Sequence, residues 1–188
     1  MLFAGTSEFA IPTLNRLICQ PDIEIIAVLT QPDRQAGRGR KLKLSPIKEV
    51  AISNNIRVLE PTDLNRCEGL REILSEEIEF LVVVSYGLMI PSSVVEKVNF
   101  AINIHASILP NWRGAAPMQY AIMNGDQFAG VSIMEVVEKL DAGPIFCSES
   151  IRLEEDETYG SLSNKLALLG SDKLMETISA LKKGIFEK

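Results

Sequence analysis

The sequence predicts an α/β layered fold around a mainly parallel sheet. Two observations carry this expectation. Short β-rich apolar runs alternate with longer stretches of helical periodicity along the 188 residues. Several of those runs are apolar throughout, as strands covered on both faces must be. A chain of this length supports one domain with a substantial core, and neither an internal repeat nor a low-complexity linker interrupts it.

The elements follow in order. Met1 to Ala4 reads as a buried strand, then Gly5-Thr6-Ser7 as a turn that could be structural or could hold an anion at a helix N-terminus. A helix carries Leu14, Leu17 and Ile18, and Ile23 to Thr30 is a nearly continuous apolar strand. Ser45 at the N-cap and Pro46 at the first position open a helix to about Asn54. Ile56 to Leu59 is a short strand, Asn65 to Glu77 a helix, and Phe80 to Val84 the most apolar strand of all. Phe100 to His105 is a strand that runs into the loop Ala106 to Arg113. A helix from Ala115 to Met123 then stops at Asn124-Gly125. Two strands, Val131 to Val137 and Ile145 to Ile151, precede a long helix, Tyr159 to Lys182. Its inner stripe would be Leu162, Leu166, Leu169, Ile178 and Leu181.

Composition narrows the function classes. The apolar fraction is 46% and the charged fraction 23%, ordinary for a soluble globular chain. No apolar run reaches the roughly 18 residues that would span a bilayer, and Met1 to Thr6 is too short for a secretion signal. Cys19, Cys67 and Cys147 have no metal-ligand spacing and suggest a reducing compartment, where they would be buried small hydrophobes. One histidine and scattered cysteines leave no credible zinc site. A net charge of -6 argues against indiscriminate coating of nucleic acid, though not against docking through one basic loop.

Such a loop exists. Arg34, Arg38, Arg40, Lys41 and Lys43 stand against the single acid Asp33, with Gly37 and Gly39 interleaved. A mobile solvated loop and a basic finger that grips phosphates are both open readings.

Ligands of open α/β sheets bind outside the carboxyl ends of the strands. Asn103 and His105 stand two apart in a strand, so both face the same way, and an amide beside an imidazole can stabilise a developing oxyanion. A structural histidine is the alternative. Asp141, in Leu140-Asp141-Ala142-Gly143-Pro144, reads from spacing alone as a turn residue. Ser107 has no patterned partners for a Ser-His-Asp hydrolase.

Ile102-Asn103-Ile104-His105-Ala106-Ser107-Ile108-Leu109-Pro110 resembles the signature of the formyltransferases that use 10-formyltetrahydrofolate: an Asn-x-His strand end, a Ser-Leu-Leu-Pro loop and a downstream Asp-x-Gly. Ile108 replaces the usual leucine. Within that superfamily the chain is most similar to the enzymes that formylate methionyl-tRNA. Gln31-Pro32-Asp33-Arg34 with Ala36 to Leu42 resembles their tRNA-gripping loop, and Trp112-Arg113-Gly114-Ala115-Ala116-Pro117 their extended folate-loop signature. Phe3-Ala4-Gly5-Thr6 resembles their opening strand and turn, with Ser7 where proline is common.

The resemblance implies a formyltransferase-type open, mixed sheet with helices on both faces, Rossmann-like. It also implies a catalytic set of Asn103, His105 and Asp141. Tyr86, Gly87 and Leu88 with Ser107, Ile108, Leu109 and Pro110 would line a folate pocket. Arg34, Arg38, Arg40, Lys41 and Lys43 would hold initiator methionyl-tRNA. No metal, membrane or obligate protein partner is implied, and the setting would be the cytoplasm or an organellar matrix. Residues 1–188 correspond to the catalytic domain, and the small β-barrel that follows it in those enzymes has no counterpart here.

Overall fold

The computed structural model describes residues 1–36 and 41–185. Strands β1 (Leu2–Gly5), β2 (Ala27–Leu29), β5 (Arg57–Leu59), β6 (Ile78–Val84), β7 (Val98–His105), β8 (Phe128–Glu135) and β9 (Ile145–Arg152) follow the order β5-β2-β1-β6-β7-β8-β9 in a mixed, mainly parallel sheet. A separate antiparallel ribbon joins β3 (Arg34–Ala36) to β4 (Lys41–Lys43). The chain divides into two compact units, Met1–Ala101 and Ile102–Lys188, with the division inside β7.

In the first unit β1 pairs in parallel with both β2 and β6, and β2 with β5. Leu2, Phe3, Ala4, Val28, Leu29, Leu81 and Val82 are fully buried. Each large side chain so covered contributes roughly 1.5–3 kcal/mol of transfer free energy. Helices α1 (Ile11–Ile18), α2 (Pro46–Ser53), α3 (Glu68–Ile73) and α4 (Ser92–Val95) belong to this unit. Ser45 caps α2 through the Lys48 N–H at 3.1 Å, as expected of Ser-Pro at a helix start. At the carboxyl ends of the strands Thr6 Oγ1 donates to the Tyr86 carbonyl at 2.8 Å, and Gln31 Nε2 donates to the same oxygen at 3.2 Å. The Thr6 and Ser7 hydroxyls are thus engaged internally, Ser7 with Ser85 at 2.8 Å. Gly5-Thr6-Ser7 serves as a structural turn.

In the second unit β8 lies antiparallel between β7 and β9. Helices α5 (Pro117–Met123) and α6 (Tyr159–Lys182) complete it. The buried stripe of α6 is Leu162, Leu166, Ala167, Gly170, Ser171, Leu174, Thr177, Ile178 and Leu181. Gly170 is required because an added Cβ would stand 2.8 Å from the Ile104 Cγ2 of β7.

Several expectations are corrected. The strand expected over Ile23 to Thr30 is only Ala27–Leu29, because its neighbour β1 begins at Leu2 and pairs with Ala27. The helix expected over Asn65 to Glu77 is broken at Cys67, whose extended backbone separates a short 3-10 turn from α3. Helix α5 starts at Pro117, since Ala116 takes a left-handed φ of 60°. Leu169 is only half-buried, and Gly170 occupies the contact line instead. Cys19 is exposed beyond the end of α1 and the other two cysteines are half-buried; all three are free thiols. Among the described residues no helix is long and apolar enough to cross a membrane.

Candidate active site

The end of β7 delivers two side chains. Asn103 and His105 alternate with buried Ile102 and Ile104, as a strand's period of two requires. His105 is 6% exposed and Asn103 is half-buried; among the described residues nothing hydrogen-bonds the Asn103 side-chain amide.

His105 is held on both nitrogens. Nε2 lies 2.9 Å from the Trp112 carbonyl, which can only accept, so Nε2 carries the proton and donates it. Nδ1 faces Asp141 Oδ2 at 3.5 Å. Asp141 is itself fixed by accepting the Gly114 N–H at 2.7 Å. A proton arriving on Nδ1 would stand between an imidazole and a carboxylate.

Local backbone geometry makes this possible. Asp141 sits at φ 47° and Trp112 at φ 55°, both left-handed, a conformation that non-glycine residues adopt only when their surroundings impose it. Gly143 lies where a Cβ would overlap the Glu135 carbonyl oxygen. Glu135 N–H donates to Pro144 O at 2.8 Å, closing the same turn. The glycine two residues after Asp141 is therefore a packing requirement of β8.

The loop after His105 is anchored by a residue that the sequence reading passed over. Ser132 of β8 stands opposite His105 in the strand register. Its buried hydroxyl accepts the Leu109 N–H at 3.1 Å, donates to Ser107 O at 2.8 Å and lies 2.9 Å from Ser148 Oγ. One polar residue inside the apolar run Val131 to Met134 was the signal available. Trp112 stacks on Tyr120 with ring centroids 5.6 Å apart and donates Nε1–H to Asp126 at 2.7 Å. The segment Trp112 to Gly114 thus supplies the carbonyl that holds His105 and the amide that holds Asp141.

The remaining expected residues fall as follows. Ser107 and Leu109 are buried, Ile108 is half-buried and Pro110 exposed. In the first unit Tyr86 is 2% exposed, its hydroxyl has no partner among the described residues, and burial, with the Cys67 thiol second, pushes that phenol above its ordinary range. Gly87, at φ 84°, is exposed and Leu88 half-buried. Arg34 lies in β3 and Lys41 and Lys43 in β4, paired through Arg34↔Lys43 and Ala36↔Lys41, so a ribbon replaces the expected loop there. Arg38 and Arg40 lie outside the described residues. Among the described residues no group of three His, Cys, Asp or Glu side chains could hold a metal.

Comparison with known proteins identifies the family. The formyl transferase family matches residues 1–178. Methionyl-tRNA formyltransferase of Streptococcus sanguinis is 40% identical over 184 residues, 98% of this chain and 59% of its own length. That of Streptococcus uberis is 41% identical over 178 residues, 95% of this chain and 57% of its own. The chain therefore spans a little under three-fifths of the length of these curated relatives. Phosphoribosylglycinamide formyltransferase from Bacillus halodurans shares the fold, with a TM-score of 0.74 at 22% identity, over 96% of this chain and 93% of that one. On the breadth of these matches the chain belongs to the formyl transferase family.

Proposed function

We propose that this protein transfers a formyl group from 10-formyltetrahydrofolate to the free α-amine of methionyl initiator tRNA. The observation that carries the acceptor is the 40% identity to a methionyl-tRNA formyltransferase over nearly the whole chain. The cationic ribbon, which a small acceptor would not require, supports the same reading.

The chemistry divides among three side chains. The folate would supply the formyl group in an activated, transferable form. Asn103, with its amide uncommitted, donates to the oxygen that turns negative as the amine adds. His105 joins it through the Nε2 proton, which the Trp112 carbonyl keeps aligned until a better acceptor displaces it. A donor of this kind is worth about a hundred- to a thousandfold in rate. Asp141, beside Nδ1, would take the proton that the amine loses and pass it to the folate nitrogen N10, whose bond to the formyl carbon breaks once the amine's bond to that carbon has formed. Ser107 to Pro110 and, in the first unit, Tyr86 to Leu88 are proposed to contact the folate, Tyr86 through its backbone. Arg34, Lys41 and Lys43, with Arg38 and Arg40, are proposed to contact the phosphates of the acceptor stem.

The test is single-turnover formylation of methionyl initiator tRNA with the protein in excess. Formyl-methionine that disappears in His105→Ala is the expected result. Formylation of phosphoribosylglycinamide, with methionyl-tRNA left untouched, would overturn the acceptor.

A further inference from the structure

The ribbon β3–β4 is rooted by a polar cluster that the chemistry above does not use. Across its base Thr30 Oγ1 and Ser45 Oγ lie 2.7 Å apart and buried. Thr30 N–H donates to Leu59 O at 3.0 Å. Nearer the ribbon, Lys48 Nζ donates to Asp33 Oδ2 at 2.8 Å and to Glu60 Oε2 at 2.7 Å. Asp33 immediately precedes β3, Lys48 lies in the first turn of α2 shortly after β4, and Glu60 follows β5. One ammonium thus links both roots of the ribbon to the end of a sheet strand. The Lys48 and Asp33 side chains are 15% and 21% exposed, so this is no solvent-screened surface pair.

From this geometry we infer that Lys48 is a positioning residue for the RNA substrate: it holds the two roots of the ribbon in register and does not itself grip phosphate. The inference rests on the reading of the ribbon as the RNA-binding element. Charge supports it. One cation against two carboxylates leaves the cluster net negative, so the cluster itself repels phosphate and attraction must come from the ribbon. Hydrogen bonds that Lys48 donates, to Asp33 first and Glu60 second, raise its pKa above the ordinary value, so the ammonium stays charged.

The two roles for Lys48 give opposite signs in one experiment. If Lys48 were a phosphate contact, Asp33→Asn would free it and remove a repelling charge, and RNA would bind more tightly. If Lys48 is a clamp, Asp33→Asn loosens the root and RNA binds more weakly. KM for methionyl initiator tRNA, KM for 10-formyltetrahydrofolate and kcat would be measured for Lys48→Met, Asp33→Asn and Lys48→Arg. Amide exchange over Arg34–Ala36 and Lys41–Lys43 would be followed without RNA. We expect Lys48→Met and Asp33→Asn each to raise the RNA KM on the order of tenfold, as when the competent ribbon population falls to about a tenth. The folate KM and kcat should stay put, ribbon exchange should quicken, and Lys48→Arg should recover most of the RNA affinity. A lower RNA KM in Asp33→Asn, or unchanged exchange in Lys48→Met, would overturn the proposal. Faster exchange with an unmoved RNA KM would overturn it too. Arg34→Ala then separates the causes: an unmoved KM there sinks the ribbon reading itself, and a raised one sinks only the part given to Lys48.

Discussion

Asp33 and Asp141 are both carboxylates drawn largely out of solvent, with side chains 21% and 9% exposed, yet they keep different company. Asp33 faces an ammonium at 2.8 Å, a fixed cation with a second carboxylate on its far side. Among the described residues no lysine or arginine pairs with Asp141. It takes a backbone amide at 2.7 Å and faces an imidazole at 3.5 Å. A carboxylate tied to an ammonium is an anchor, because neither partner gives up its charge near neutral pH. One set beside an imidazole can exchange a proton with its neighbour. On the roles proposed above, the first unit's acid fixes a backbone and the second unit's acid prepares chemistry.

The strongest way to break this contrast is to neutralise each acid in turn. Asp141→Asn should lower kcat by roughly a hundred- to ten-thousandfold, while Asp33→Asn leaves kcat alone. Single-turnover formylation with both substrates saturating measures both, and equal losses would erase the distinction. Next is the packing that presents Asp141. Gly143→Ala forces a methyl into the Glu135 carbonyl and should destabilise the protein by about 1–3 kcal/mol. Urea unfolding reads that loss, and kcat should fall with it because Asp141 lies two residues away.

A smaller effect is expected at the anchor. Ser45→Ala removes both the cap of α2 and the partner of Thr30. It should cost about 1–2 kcal/mol in thermal unfolding with kcat preserved.

The smallest concerns Glu157, which serves neither end. The Lys165 ammonium at 2.7 Å, then the Ser161 hydroxyl, lower its pKa below the ordinary value of 4.5. Its folded pKa lies below the unfolded one, so its contribution is complete above pH 4.5 and is lost as pH falls through the folded value. Glu157→Gln should therefore lower the melting temperature by no more than about 2–3 °C at pH 7. Melts repeated at falling pH should show the difference from the parent protein vanish on the acid side.

The sequence makes some of this site legible and hides the rest, for physical reasons. The pairing of Asn103 with His105 on one face is visible because strand alternation is a local rule. The α/β layering is visible because apolar runs and helical periods are local too. Asp141 reads as a turn residue until the family resemblance assigns it. Its left-handed backbone and its bond to Gly114, 27 positions earlier, are long-range facts. The ribbon reads as a loop in sequence because Arg34 to Lys43 lacks apolar periodicity, and its pairing across Arg34↔Lys43 leaves no composition signal. Ser132 and Lys48 are hard to pick out in sequence because each matters only through residues distant in sequence.

The Ser132 hydroxyl has a consequence of its own. It owns one proton, and the Ser107 carbonyl, having none to give, must receive it. The Leu109 N–H already points inward to one lone pair, so the Ser148 hydroxyl must donate to the other. Every hydrogen in this junction has a single permitted direction. Threonine at 132 could reproduce that wiring, whereas cysteine, a poor donor and acceptor, could not. The loop beside His105 is therefore set by the orientation of three hydrogens around one fully used hydroxyl oxygen.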